Sequence, residues 1–168
     1  MKCILAHLEV SPSIGSILSC AWFAASRFSS YIEGVHLRPG QPDVIAAGAD
    51  GFVAAAPDLV AGFEREAKDR AERAREVFQD FMIERQLTRP SDAAAGKCSA
   101  DWRIVTSSGQ AAIGSVGRTF DLLVLGRPLR DAVTPSMTAL ESALFESGRP
   151  LIVAPPTAIF DPIVEGAV

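Results

Sequence analysis

Two stretches decide the fold: Phe120-Asp121-Leu122-Leu123-Val124-Leu125-Gly126 and, one helix length further on, Gly148-Arg149-Pro150-Leu151-Ile152-Val153-Ala154-Pro155. Each holds a short, unbroken apolar run bounded by turn residues, which is what a strand covered on both faces of a parallel sheet requires. Between them Thr134-Pro135 gives a helix-start signal, and Met137, Leu140, Ala143 and Leu144 recur at helical spacing. Gly148 followed by Arg149-Pro150 then stops the helix. A strand, a helix and a strand in this order predict two parallel strands joined by a right-handed crossover.

Ahead of this unit, Trp102-Arg103-Ile104-Val105-Thr106 alternates like a strand with one exposed face, and Ser107-Ser108-Gly109 caps a short helix through Ala111, Ala112, Ile113 and Val116. Gly114-x-x-Gly117 falls inside that helix and reads as packing rather than phosphate binding. At the start, Cys3-Ile4-Leu5-Ala6-His7-Leu8 reads as a buried strand, and Ser11-Pro12 offers an N-cap with proline at the first helical position. Ile14, Ile17, Leu18, Ala21, Trp22, Ala25 and Phe28 form the stripe of the helix that follows, and Ser30 to Leu37 a second strand. The longest helix is expected from Phe63 to Leu87. Phe63, Ala67, Ala71, Ala74, Phe78, Phe81 and Met82 line its apolar face, and Glu64–Lys68, Glu66–Arg70 and Asp69–Arg73 are i,i+4 pairs on a solvated face. Residues 39–60 read as a long surface connection with a short helical piece near Val44–Ala47, and Thr88 to Ala100 as a loop. The alternation predicts an α/β domain with a parallel sheet and helices on both faces.

With 168 residues, 48% of them hydrophobic and 21% charged, the chain has material for one domain with a substantial core. The formal net charge of −4 argues against nucleic acid and anionic membranes as partners. Cys3, Cys20 and Cys98 form no close pair, which excludes a disulfide framework and a zinc motif. The first apolar stretch is too short for a signal peptide, and the uncharged run from Val10 to Ala25 is broken by Pro12 and several serines, so no span is expected and the reading is cytoplasmic.

Ligands of such sheets bind beyond the carboxyl ends of the strands, where the winding direction reverses. That rule places Leu8, Glu9, Val10 and Ser11, then Leu37, Ser107 to Gly109, and Gly126 to Pro128 around one crevice. His7 and His36 pair with no carboxylate or thiol at a triad or metal spacing and read as structural. Cys98, beside Lys97, reads as an exposed thiol, and Trp22 and Trp102 as core. No GxSxG, HExxH or GxGxxG motif occurs. A flavin phosphate would be repelled by Glu9 in the loop after the first strand.

These residues resemble the universal stress protein family over nearly the whole chain, most specifically in the two stretches quoted first. The resemblance implies a flavodoxin-like doubly wound five-stranded parallel sheet, and a stress-response accessory protein rather than an enzyme. It also implies pairing through the final strand, with Leu151, Ile152, Val153 and Ala154 as dimerisation residues. ATP-binding members carry Gly-x2-Gly-x9-Gly-Ser/Thr after the fourth strand, where small residues let backbone N–H groups approach the phosphates. Here Gly126 matches, but Leu129, Ala139 and Leu140 occupy the other three places. The aspartate that the family has at the end of the first strand is replaced by Leu8, with Glu9 beside it. ATP is therefore not expected to bind in the family manner, and no cofactor is expected. The alternative is an adenine nucleotide or another small molecule in the same crevice, with Arg127 and Arg130, aided by Thr134 and Ser136, holding an anion by side chain. Residues 1–155 complete the domain. Residues 156–168 read as a linker or the start of a second copy, so the expected partners are an identical chain, a second domain of the same chain, or an unidentified protein.

Overall fold

The computed structural model describes residues 1–39, 57–107, 109–129 and 135–157. In chain order these form β1 (Cys3–His7), α1 (Ile14–Phe28), β2 (Tyr31–Pro39), α2 (Pro57–Glu84), β3 (Ser99–Ser107), α3 (Ala112–Gly117), β4 (Leu122–Gly126), α4 (Met137–Glu146) and β5 (Leu151–Ala154). All five strands are parallel, in the order β3-β2-β1-β4-β5. This is the α/β, flavodoxin-like doubly wound architecture expected, and its winding reverses between β1 and β4.

Strand alternation sorts the core into two layers. Ile4, Ala6, Ile32, Leu122 and Val124 face α1 and α2, where Ile17, Leu18, Ala21, Ala25, Phe78 and Phe81 meet them. Leu5, Val35, Leu37, Leu123 and Leu125 face α3 and α4 through Ile113, Ala139 and Ala143. Every residue of β4 is buried, as its unbroken apolar run requires.

Several boundaries differ from the sequence reading. The α1 N-cap is Ser13 rather than Ser11, because Ser11 O is taken by Ile14 N–H in a turn at 3.2 Å. Helix α2 begins at Pro57, so residues 61–66, Phe63 among them, are exposed before Ala67 reaches the sheet. Of its expected ion pairs, Glu66–Arg70 forms at 3.7 Å, Lys68 pairs instead with Glu72 at 3.8 Å, and Arg73 Nε donates to Asp69 O. Strand β3 starts earlier, at Ser99, where Ala100 N–H donates to Thr88 O at 2.9 Å and its side chain is buried. Cys98 is half-buried, its Sγ donating to Ala25 O at 3.2 Å. The helical piece expected near Val44–Ala47 and the segment after residue 157 lie outside the described residues.

Gly114 packs α3 directly on α4: a Cβ there would stand 2.6 Å from the backbone oxygen of Ser142 and 2.8 Å from Glu146 Cβ. The glycine pair is thus a packing device. Replacing Gly114 with alanine is expected to force the two helices apart and cost roughly 1–3 kcal/mol, read as a lower urea midpoint at unchanged slope.

Candidate functional site

The crevice begins where β1 stops. Leu8 N–H donates to Val35 O at 2.9 Å, and Leu8 O accepts from His36 Nδ1 at 2.8 Å, which stitches the end of β1 to β2. Because a carbonyl can only accept, His36 carries its proton on Nδ1. The Leu8 side chain lies in the α1/α2 layer, so alternation sends the next side chain, Glu9, toward α3 and α4.

Glu9 is only 4% exposed. Its carboxylate accepts a hydrogen bond from the Gln110 side chain, just ahead of α3, and another from the backbone N–H of Ser136, the N-cap of α4. Burial pushes its pKa up to about 7, against those two hydrogen bonds and the positive charge of Arg70. The N-terminus of α4 concentrates N–H groups and the positive end of the helix dipole, the feature that attracts an anion. Here the protein's own carboxylate sits at that position. Ser136 is also engaged through its side chain, whose Oγ accepts from Ala139 N–H at 3.0 Å.

Gly126 closes the other side. A Cβ there would lie 2.5 Å from Pro135 Cγ, 2.7 Å from Ser13 Oγ and 3.1 Å from Ile17 Cδ1. The space beside this glycine is filled by side chains of the same chain, with Pro135 and Ser13 both buried. Behind them, His7 is 1% exposed and its pKa is pushed down to about 3, first by burial and then by His36. Burial likewise lowers the pKa of His36, with its bond to Leu8 O opposing and Arg70 adding to the shift. Both imidazoles are therefore neutral near pH 7, and His36 stacks on Trp102 at 6.2 Å. Among the described residues, Glu9 Oε2, Gln110 Oε1 and His7 Nε2 are buried without hydrogen-bond partners.

The remaining candidates are spread around this cluster. Val10 is exposed at the rim, whereas Leu37 belongs to the α3/α4 core. Ser107 Oγ donates to Gly109 O at 3.0 Å, closing a local turn. Arg127 is exposed, its N–H donating to Ala154 O at 2.8 Å, and Arg130 lies outside the described residues. Glu9, Gly126 and Ser136 are thus brought together, while Leu8 and Leu37 serve the core. Gln110 completes the site without any sequence signal, being a lone polar residue in a turn. Strand β5 forms one sheet edge, with Leu151 and Ile152 half-buried, Val153 exposed and Ala154 buried. Among the described residues, no group of three or more His, Cys, Asp or Glu is placed to hold a metal ion.

No protein-family model matches the sequence, and no curated protein matches it significantly. Solved structures do match. The chain is similar to the universal stress protein UspA from Lactobacillus plantarum, with a TM-score of 0.63 at 13% identity, covering 91% of this chain and 97% of that one. It is also similar to a universal stress protein family member from Burkholderia pseudomallei, with a TM-score of 0.56 at 17% identity over 92% and 96% of the two chains. A third likeness is to a universal stress protein family protein from Arabidopsis thaliana with AMP bound, with a TM-score of 0.55 at 15% identity over 98% and 97%. At these identities the likeness is one of backbone architecture, and it covers nearly the full length of every partner. The chain has the universal stress protein fold.

Proposed function

We propose that the chain is a stress-response accessory protein of the universal stress type: a dimerising signalling or interaction module, not an enzyme, that does not hold ATP in the manner of the ATP-binding members. The observation that supports this is Glu9 on the N–H of Ser136. A phosphate oxygen about 4 Å from an ionised Glu9 meets a repulsion of roughly 4 kcal/mol at an effective dielectric of 20. The helix terminus offers typically about 0.3–1 kcal/mol in return, so repulsion wins. Pro135 and Ser13 beside Gly126 add a steric obstacle to the same approach. The purified chain is expected to carry no nucleotide when its small-molecule content is analysed by mass spectrometry; a stoichiometric adenine nucleotide would overturn the reading.

The partner in this reading is a second copy, or a second domain of the same chain, docked on the open edge of β5, with an unidentified protein as the further target. The acidic balance disfavours nucleic acid, and no helix among the described residues is long and apolar enough to cross a membrane, in keeping with a cytoplasmic protein. Val153 is 44% exposed on β5. Val153→Asp is expected to halve the mass measured by light scattering while leaving the far-UV spectrum intact. A wild-type chain that is monomeric at about 100 μM would count against self-pairing.

A second reading, adenine-nucleotide binding in the same crevice, draws on the AMP bound to the Arabidopsis neighbour. It requires Glu9 to leave Ser136 or to act as a neutral acid at that position.

A further inference from the structure

At the opposite end of the sheet, where the strands begin, a groove of about 670 Å³ runs between the C-terminal half of α2 and the start of β3. Its size falls within the roughly 300–1,000 Å³ of ordinary small-molecule sites. The half-buried Met82 and Trp102 and the exposed Ile83 give it an apolar wall, backed by the buried Phe78 and Leu87, and Arg75 and Arg89 stand on its exposed rim. Those two guanidinium groups have no ion-pair or hydrogen-bond partner among the described residues. Arg70, Arg85 and Arg103, by contrast, are each paired with a glutamate. The carboxylate in the groove, Asp101, has its Oδ1 turned to its neighbour's backbone, accepting from Trp102 N–H at 2.8 Å. Among the described residues, the indole N–H of Trp102 is itself buried without an acceptor. An adjoining groove of about 600 Å³ shares Gln86, Leu87 and Thr88 and is lined largely by polar side chains, Ser26, Asp92 and Lys97 among them.

We infer that this groove binds a free amphiphilic carboxylate, its acyl or aryl body along Met82, Ile83 and Trp102 and its head group between Arg75 and Arg89. An apolar body without a charge would leave both guanidinium groups unanswered. A bare phosphate would leave the apolar wall wet. The combination asks for both parts in one molecule, and a planar carboxylate matches the guanidinium fork. On a chain of net charge −4, this rim is where an anion finds a local attraction. The site is separate from the crevice at Glu9, so the inference stands whatever the outcome for ATP.

The test is calorimetric titration of the full chain with decanoate and with decanol, both below their aggregation limits. Decanoate is expected to bind saturably at one site, and decanol at least tenfold more weakly. The R75Q/R89Q double variant is expected to lose at least tenfold in decanoate affinity at an unchanged unfolding midpoint, both positions being exposed. Ile83→Glu, on a rim position that is 76% exposed, should weaken decanoate as well. Absence of saturable binding, equal affinity for the alcohol, or full affinity in either variant would overturn the proposal.

Discussion

Truncating Phe78 to alanine is expected to cost about 3–5 kcal/mol of stability. Phe78 is fully buried and is the largest such side chain among the described residues. Its ring meets Phe81 at 6.1 Å and Trp102 at 5.6 Å, both tilted, in the layer between α2 and the sheet. Alanine would lose the transfer energy of the ring, leave a cavity against β2 and β3, and forfeit two aromatic contacts. Helix α2 cannot collapse freely into that space, since Ala71 and Ala74 on the same stripe are already buried and leave no side chain to fill it. A loss of this size is a large share of the roughly 5–15 kcal/mol that holds a domain together. Urea unfolding at unchanged slope measures it, and a loss below about 1 kcal/mol would contradict the packing described.

Glu9→Gln is expected to stabilise the protein in a pH-dependent way. The Glu9 pKa rises from 4.5 to about 7 on folding. Between those values the native state keeps a proton that the unfolded chain has released, so the stabilisation from neutral Glu9 is complete below 4.5 and is lost as pH rises through about 7. The full span corresponds to about 3 kcal/mol. Glutamine keeps a neutral polar group next to Gln110 and Ser136 but cannot ionise. The variant and the wild type should therefore be close in stability near pH 4.5, with the variant ahead by up to about 3 kcal/mol near pH 8. His7 and His36 act in the opposite sense. Their pKa values are lowered from 6.5, so the stability they contribute is lost as pH falls, for His7 down to about 3. Both proteins share that loss, and it cancels in the difference. Paired urea titrations across this range provide the check; a pH-independent gap would place Glu9 in solvent.

The fold was legible because its strongest signals are local. The apolar runs of β4 and β5 and the stripe from Ala67 to Phe81 state their burial directly, and the order of elements constrains the sheet. The errors fall where a long-range contact sets a local boundary. Thr88 lengthens β3 by pairing beside Ser99, Ala25 O draws in Cys98, and Ser11 O starts a turn that delays α1. The site was legible in part for the same reason. Glu9, Gly126 and Ser136 stand at strand ends and a helix start, positions that topology singles out. That Glu9 would turn onto the N–H of Ser136 depends on three segments far apart in sequence, and Gln110 carries no pattern of its own. Arg75 and Arg89, without a partner among the described residues, were equally silent, because such an arginine looks in sequence like any solvated charge.

In the function proposed above, Glu9 holds the anion position at the start of α4. Calorimetric titration of the full chain with Mg-ATP near pH 8, where Glu9 is ionised, tests it most directly. No saturable heat is expected up to about 1 mM nucleotide, whereas a one-to-one isotherm with a Kd below about 100 μM would show that Glu9 does not hold that position against phosphate.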